Sequence, residues 1–140
     1  EILIGLVGSE MCIRDRCIYF KSVLAFAKSP VGMRMRNAFL NGTLKREQPF
    51  VMSIPASEAD PSYPADETIL VQGIIDAWFT EGEKLVLVDY KTDRVKEAGE
   101  LEKRYEKQLM YYQQALERTT GKKVKEKIIY SLALDEELVL

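Results

Sequence analysis

From Thr68 to Thr92 the chain reads TILVQGIIDAWFTEGEKLVLVDYKT, two apolar runs separated by a short polar stretch. In an extended strand, residues i and i+2 lie on one face. Leu85, Leu87, Asp89 and Lys91 then share a face, opposite Val86, Val88 and Tyr90. In the preceding run Leu70, Gln72, Ile74, Asp76 and Trp78 share a face. Both sides of both runs are largely apolar, which predicts the covered middle of a sheet. Glu81, Gly82, Glu83 and Lys84 are expected as a four-residue hairpin loop. If Thr80 pairs with Leu85 and Phe79 with Val86, counting outward sets Asp76 opposite Asp89.

The rest of the chain punctuates itself. Residues 18–28 read as a helix. Ser29 then Pro30 is an N-cap followed by proline at the first helical position, and Asn41-Gly42 is a stop. Between them Val31, Met35, Ala38 and Phe39 form one apolar stripe. Residues 47–54 read as a first strand, with Phe50, Met52 and Ile54 on one face and Glu47 at its start. Residues 55–67 carry three prolines and four acids and predict a surface loop. A polar connection over 92–99 leads to a helix over 100–119, whose stripe is Leu101, Tyr105, Leu109, Tyr112 and Leu116. The last predicted strand is 124–134, with Ile128, Tyr130 and Leu132 on one face, and the acidic stretch 135–137 reads as a fraying terminus or a cut. Residues 1–16 fit nothing downstream and resemble translated sequencing-adapter DNA. The expected folded unit is therefore 17–140, cut from something longer; the alternative is an ordinary terminal strand and loop.

Composition narrows the class. A chain of 140 residues makes one domain at most, and 46% hydrophobic with 30% charged residues suits a soluble globular protein. A net charge of −2 gives no global basic field, yet Cys17 to Arg46 holds six cations and no acid. That stretch is a solvated helix face or a phosphate-facing surface. No apolar run is long enough to span a bilayer, and no secretory signal is evident. Cys12 and Cys17 have no partners to complete a zinc site, so a reducing, cytoplasmic setting is the default. The absence of histidine excludes Ser/His/Asp and Cys/His catalysis within this chain.

The candidate chemistry lies in the charges that interrupt the apolar runs. Directly opposed Asp76 and Asp89 would have Cβ atoms roughly 5 Å apart on one side of the sheet. Like charges at about 4 Å repel by roughly 4 kcal/mol at an effective dielectric near 20. A divalent cation between them reverses that penalty, and hard oxygen ligands suit Mg2+ or Mn2+. The alternative is a buried ion pair of Lys91 with either acid, which leaves the other acid unpaired. Gln108 borders the buried stripe of its helix, where a core position calls for leucine.

Gly73-Ile74-Ile75-Asp76, a hairpin, then Asp89-Tyr90-Lys91-Thr92 resembles the core of the PD-(D/E)XK nucleases. Gln108-Leu109-Met110-Tyr111-Tyr112 resembles the QxxxY element of their RecB-like branch. Arg46-Glu47-Gln48-Pro49-Phe50 followed by Ile54-Pro55-Ala56-Ser57-Glu58 is similar to the nuclease domains of AddA-type helicase–nucleases. The resemblance covers about residues 18–140. It implies an α/β fold, a mixed sheet flanked by helices, with a restriction-endonuclease-like core incomplete at its N-terminus. It implies Mg2+-dependent exonucleolytic hydrolysis of DNA in double-strand-break repair, in the bacterial cytoplasm. Asp76, Asp89 and the backbone carbonyl of Tyr90 would hold the metal, and Lys91 would orient water or stabilise phosphoryl charge. Gln108 and Tyr112 would face DNA, and Glu47 stands where the family has a glutamate. It further implies a partner of the AddB type, and ATP use only in a helicase part that these residues do not contain. RecB-like nucleases usually take a histidine ligand from an upstream helix; its absence is read as truncation. A catalytically silent DNA-guiding module that keeps the fold is the alternative. A stand-alone restriction-type endonuclease would need a dimer surface and base-reading loops that are not identifiable.

Overall fold

The computed structural model describes the backbone from residue 13 to 140 and side chains from residue 20 onward. Elements run α1 (Ile13–Lys28), α2 (Pro30–Leu40), β1 (Leu44–Pro55), α3 (Ala56–Ala59), β2 (Thr68–Glu81), β3 (Lys84–Lys91), α4 (Ala98–Thr120), β4 (Val124–Ser131) and β5 (Glu136–Val139). They build one five-stranded sheet in the order β1-β2-β3-β4-β5. Every pairing is antiparallel except β3 with β4. A parallel pair needs a long crossover, and α4 supplies it. This is the expected mixed α/β sheet with helices on both faces, the restriction-endonuclease-like arrangement.

Each face has its own core. On one, Phe26 of α1 and Val31, Met35 and Ala38 of α2 pack on Phe79, Val86, Val88, Ile128 and Tyr130. On the other, Leu101, Leu109, Tyr112 and Leu116 of α4 pack on Ile75, Leu85, Leu87 and Ile129. β3 is the covered middle strand: Leu85 to Val88 are all fully buried. α2 starts as its sequence dictates, with Ser29 Oγ accepting from Gly32 N–H at 3.1 Å. Gly32 is also where α1 and α2 meet, since a Cβ there would lie 1.9 Å from the Phe26 carbonyl oxygen.

The hairpin register is the expected one, with Thr80 opposite Leu85 and Phe79 opposite Val86. The loop is tighter than four residues. Glu81 pairs with Lys84, leaving Gly82 and Glu83 as the turn. Gly82 has φ of +61°, the sign that a two-residue turn asks of its first position and that glycine supplies without strain.

The face assignment of β2 needs correction. Leu70, Gln72 and Ile74 do not share a face with Trp78. Val71 and Ile75 pack toward α4, as does Trp78, whereas Ala77 and Phe79 pack toward α2. The strand therefore changes face between Ile75 and Ala77. β1 changes with it: Leu44 packs toward α2, but Phe50, Met52 and Ile54 pack toward α4. The ladder pairs Arg46 with Ala77 and Gln48 with Ile75 but omits Glu47 and Asp76 between them. Glu47 there has φ of +50°, uncommon for a side chain. Beyond this kink the outer face is bare, and Leu70 and Ile74 are 74% and 58% exposed. The covered-sheet expectation thus fails for the first half of β2.

Smaller differences remain. α1 begins at Ile13, inside the stretch read as a leader, while residues 1–12, including Cys12, lie outside the described residues. Phe39 of the α2 stripe is 44% exposed. The loop after β1 opens with the short helix α3. Residues 135–137 do not fray: Asp135 turns the chain at φ of +53°, and β5 returns along β4. Glu137 accepts the Val31 N–H at 2.9 Å, so this end is tied to the start of α2.

Candidate active site

The kink in β2 delivers Asp76 to the end of the β2–β3 ladder, beside Asp89. Asp76 is anchored by backbone, its Oδ2 accepting the Tyr90 N–H at 2.9 Å. Tyr90 is thus bound to the site through its amide, and its ring goes the other way, against Phe26 and the Met35 sulfur. Burial of the phenol and the Asp76 charge both push its titration upward, burial most, so it gives up no proton at neutral pH.

Asp89 is the one fully buried charge among the described residues, only 2% exposed. Lys91 Nζ lies 2.7 Å from its Oδ2. Lys91 is the cation against this oxygen, and no other described residue donates to it. Burial pushes the Asp89 carboxyl up to about 6. Lys91 opposes the rise, and Asp76, close enough to share a hydrogen bond with Asp89, adds to it. Desolvation wins over the ammonium, which marks an acid short of positive charge.

Lys91 is held from the α4 side. Its Nζ donates to Gln108 Oε1 at 2.9 Å and lies 3.9 Å from the centre of the Tyr105 ring. Gln108 Nε2 in turn donates to the Tyr112 hydroxyl at 2.9 Å. Residues 105, 108 and 112 fall on one helix face by their spacing of three and four. The titration of the Tyr112 hydroxyl is raised by burial first, then by Asp89 and Asp76, so it remains a neutral donor.

The structure thus joins Asp76, Tyr90, Asp89, Lys91, Gln108 and Tyr112 into one connected cluster. Glu47 stands across from Asp76 in the skipped ladder position, on an exposed side chain. Tyr105 is not singled out for the site by its sequence pattern, since it looks like one more member of an apolar stripe. Asp93, like Thr92, directly follows the site in sequence, which offers it either a phosphate or water contact or a capping or turn duty. Tyr105 donates its hydroxyl to Asp93 Oδ2 at 2.9 Å, and Arg104 reaches Asp93 Oδ1 at 3.0 Å. The Tyr105 hydrogen bond, more than Arg104, holds the Asp93 carboxyl below the usual range. A tyrosine one turn before Gln108 was the available signal. Among the described residues no three acidic, histidine or cysteine side chains converge as a ready metal cage.

Residues 23–138 match the sequence profile of the PD-(D/E)XK nuclease superfamily. An ATP-dependent helicase/nuclease subunit of Clostridium botulinum (strain 657 / Type Ba4) is 45% identical over 117 residues, covering 81% of this chain and 9% of that protein. The protein of the same name from Clostridium botulinum (strain Kyoto / Type A2) is 41% identical over 126 residues, 87% of this chain and 10% of that protein. The Clostridium kluyveri (strain NBRC 12016) protein of that name is 41% identical over 117 residues, 81% of this chain and 9% of that protein. The chain therefore spans about a tenth of the length of the curated relatives it matches.

Proposed function

The chain belongs to the PD-(D/E)XK nuclease superfamily, and on that premise we propose that it hydrolyses DNA phosphodiesters with Mg2+ or Mn2+, as the nuclease domain of an AddA-type helicase–nuclease. The observation that carries this reading is Asp89. A fully buried carboxylate with one ammonium against it and a second carboxylate beside it carries more negative than positive charge and is complementary to a hard cation.

The donor set fits such an ion. Asp76, Asp89 and the Tyr90 carbonyl would hold it. Two carboxylates with the remaining positions left to backbone and water oxygens is the way Mg2+ is commonly bound. When bound, the metal supplies Lewis-acid polarisation of the phosphoryl oxygen and a lowered pKa for a bound water. The chain's own groups do the rest. The Tyr90 N–H fixes the Asp76 carboxylate through Oδ2, which would leave Oδ1 for the ion. Lys91 stands beside Asp89 with its ammonium able to neutralise charge on the phosphoryl oxygens. Gln108 orients Lys91, and Tyr112 braces Gln108 while offering a hydroxyl to DNA.

By the same membership we propose exonucleolytic action on one strand in double-strand-break repair, in the bacterial cytoplasm. We propose also an AddB-type partner, and ATP use only in a helicase part outside these residues. No helix among the described residues is long and apolar enough to cross a membrane. The test is release of nucleotides from single-stranded DNA with Mg2+, with and without a chelator, against Asp89→Ala. Metal-dependent release abolished by the substitution is expected. DNA binding without cleavage, indifferent to Asp89→Ala, is the outcome of a silent DNA-guiding module.

A further inference from the structure

We propose that Tyr105 and Asp93 are positioning residues for Lys91, forming a latch that keeps its ammonium in the site; this rests on the nuclease reading of the same cluster. A lysine ammonium has three N–H groups and no acceptor. Around Lys91 Nζ there are three partners: Asp89 Oδ2 at 2.7 Å, Gln108 Oε1 at 2.9 Å and the Tyr105 ring at 3.9 Å. The ring fills the third place, where a polar side chain would otherwise be needed, and its face attracts a cation. The side chain of Lys91 is only 13% exposed, so little water competes for that place.

The ring is itself fixed. Its hydroxyl donates to Asp93, and Asp93 also holds Arg104 on the same helix. Asp93 lies two residues beyond Lys91, in the connection that leads into α4. Contacts therefore close a circuit, from Lys91 to the Tyr105 ring, through its hydroxyl to Asp93, and back along the chain to Lys91. The circuit matters most when a cation occupies the acids. Asp89 then shares its charge with the ion, and its hold on Lys91 weakens. The Gln108 amide and the Tyr105 ring are what remain to keep the ammonium from swinging to solvent.

The experiment is competitive acylation of lysine amines in the intact chain with Mg2+ present, read residue by residue by mass spectrometry, with exposed Lys123 as internal reference. In Tyr105→Leu the Lys91 rate should rise about tenfold relative to Lys123, and Tyr105→Phe, which keeps the ring but loses its bond to Asp93, should reverse only part of that rise. Asp93→Ala breaks the same bond and should match Tyr105→Phe. In steady-state cleavage, Tyr105→Leu should lower kcat about tenfold with KM within about twofold, and Tyr105→Phe and Asp93→Ala should each lower it by less. An unchanged Lys91 rate in both Tyr105→Leu and Asp93→Ala overturns the latch. So does a KM effect in place of a kcat effect. Should Tyr105→Leu fail to fold, Asp93→Ala decides alone. A chain that never cuts DNA sinks the nuclease reading, while the acylation rates still decide whether Tyr105 seats Lys91.

Discussion

The β2–β3 hairpin carries a charged cluster at each end, and the two are built in opposite ways. At the turn, Arg34 grips Glu81 with two hydrogen bonds of 2.8 and 2.9 Å and reaches Glu126 at 2.7 Å. Lys125 joins Glu81 at 2.7 Å. Cations and acids are matched there, and each side chain is partly in water. The Glu81 carboxyl is lowered to about 2, chiefly by Arg34. At the other end the buried Asp89 meets Lys91 and a second acid in the interior, and it is raised to about 6, chiefly by burial. The same residue types shift in opposite directions because one cluster is balanced and wet, while the other is dry and its buried acid short of positive charge. A balanced cluster completes the fold. An unbalanced buried one costs stability until something positive arrives, which is the reason the proposed function puts the working end there.

The sharpest way to break this contrast is to remove one acid from each end. Asp89→Ala or Asp76→Ala should reduce Mg2+-dependent DNA cleavage by roughly a thousandfold or more. Glu81→Ala should leave the cleavage rate within about twofold while lowering the melting temperature. Equal losses from both ends, measured on chains of matched folded fraction, would end the distinction.

The next test uses pH. Asp89 has a folded pKa of about 6 against an ordinary value of 3.8, so the folded state binds the proton more tightly. Its contribution favours folding at low pH and is lost as pH rises from about 4 to about 6, the reverse of a salt-bridged acid. Carboxyl 13C shifts should show this group titrating near 6 without metal. Mg2+ competes with that proton, so apparent affinity should drop about tenfold per pH unit below 6 and flatten above it. An Asp89 midpoint at about 4 would mean that the carboxylate is already well compensated, and the two ends would no longer differ.

Much of this contrast was legible in the sequence, for physical reasons that also mark where legibility stops. Alternation and the Glu-Gly turn suffice to bring Asp76 beside Asp89, because pairing propagates residue by residue from a hairpin loop, although the ladder itself ends one pair earlier, at Ala77 and Val88. Even a loop shortened from four residues to two keeps that register, since Glu81 and Lys84 simply add one more pair. Alternation misassigns the faces of Leu70, Gln72 and Ile74 because it assumes an unbroken pleat. The kink at Glu47 and Asp76 turns both strands over at once, and no composition signal announces a positive φ at a glutamate. β5 escaped because four residues with two acids look like a tail, although one of those acids secures α2. Tyr105 escaped because a helical stripe does not distinguish an aromatic that fills the core from one that seats an ammonium.

A milder perturbation reaches the active end through α4. Gln108→Leu keeps the helix face apolar and removes one of Lys91's partners and the donor to Tyr112. Cleavage should slow about fivefold to tenfold, with the loss in kcat, because misplacing a charged group costs rate even when substrate still binds. The chain should be no less stable, since leucine is the residue a half-buried helical position prefers. A variant both slower and much less stable would mean that Gln108 holds the fold and only incidentally the site.

The smallest effect belongs to the turn end and completes the contrast. Arg34→Met keeps an apolar stem of similar length near the Phe79 ring, which the guanidinium approaches to 5.8 Å. It deletes the charge that pairs with Glu81 and Glu126. Those side chains are about 30% exposed, so water recovers part of the loss, and roughly 1 kcal/mol of stability should go. Glu81 sets the sign with pH. Its folded pKa of about 2 lies below the ordinary 4.5, so its stabilisation is present above pH 4.5 and fades as pH falls toward 2. Urea midpoints of the two chains should therefore differ at about pH 7 and converge near pH 2 to 3, while cleavage at neutral pH stays unchanged. A difference that persisted in acid would assign Arg34 a packing role instead, and the turn end would no longer be the balanced counterpart of the site.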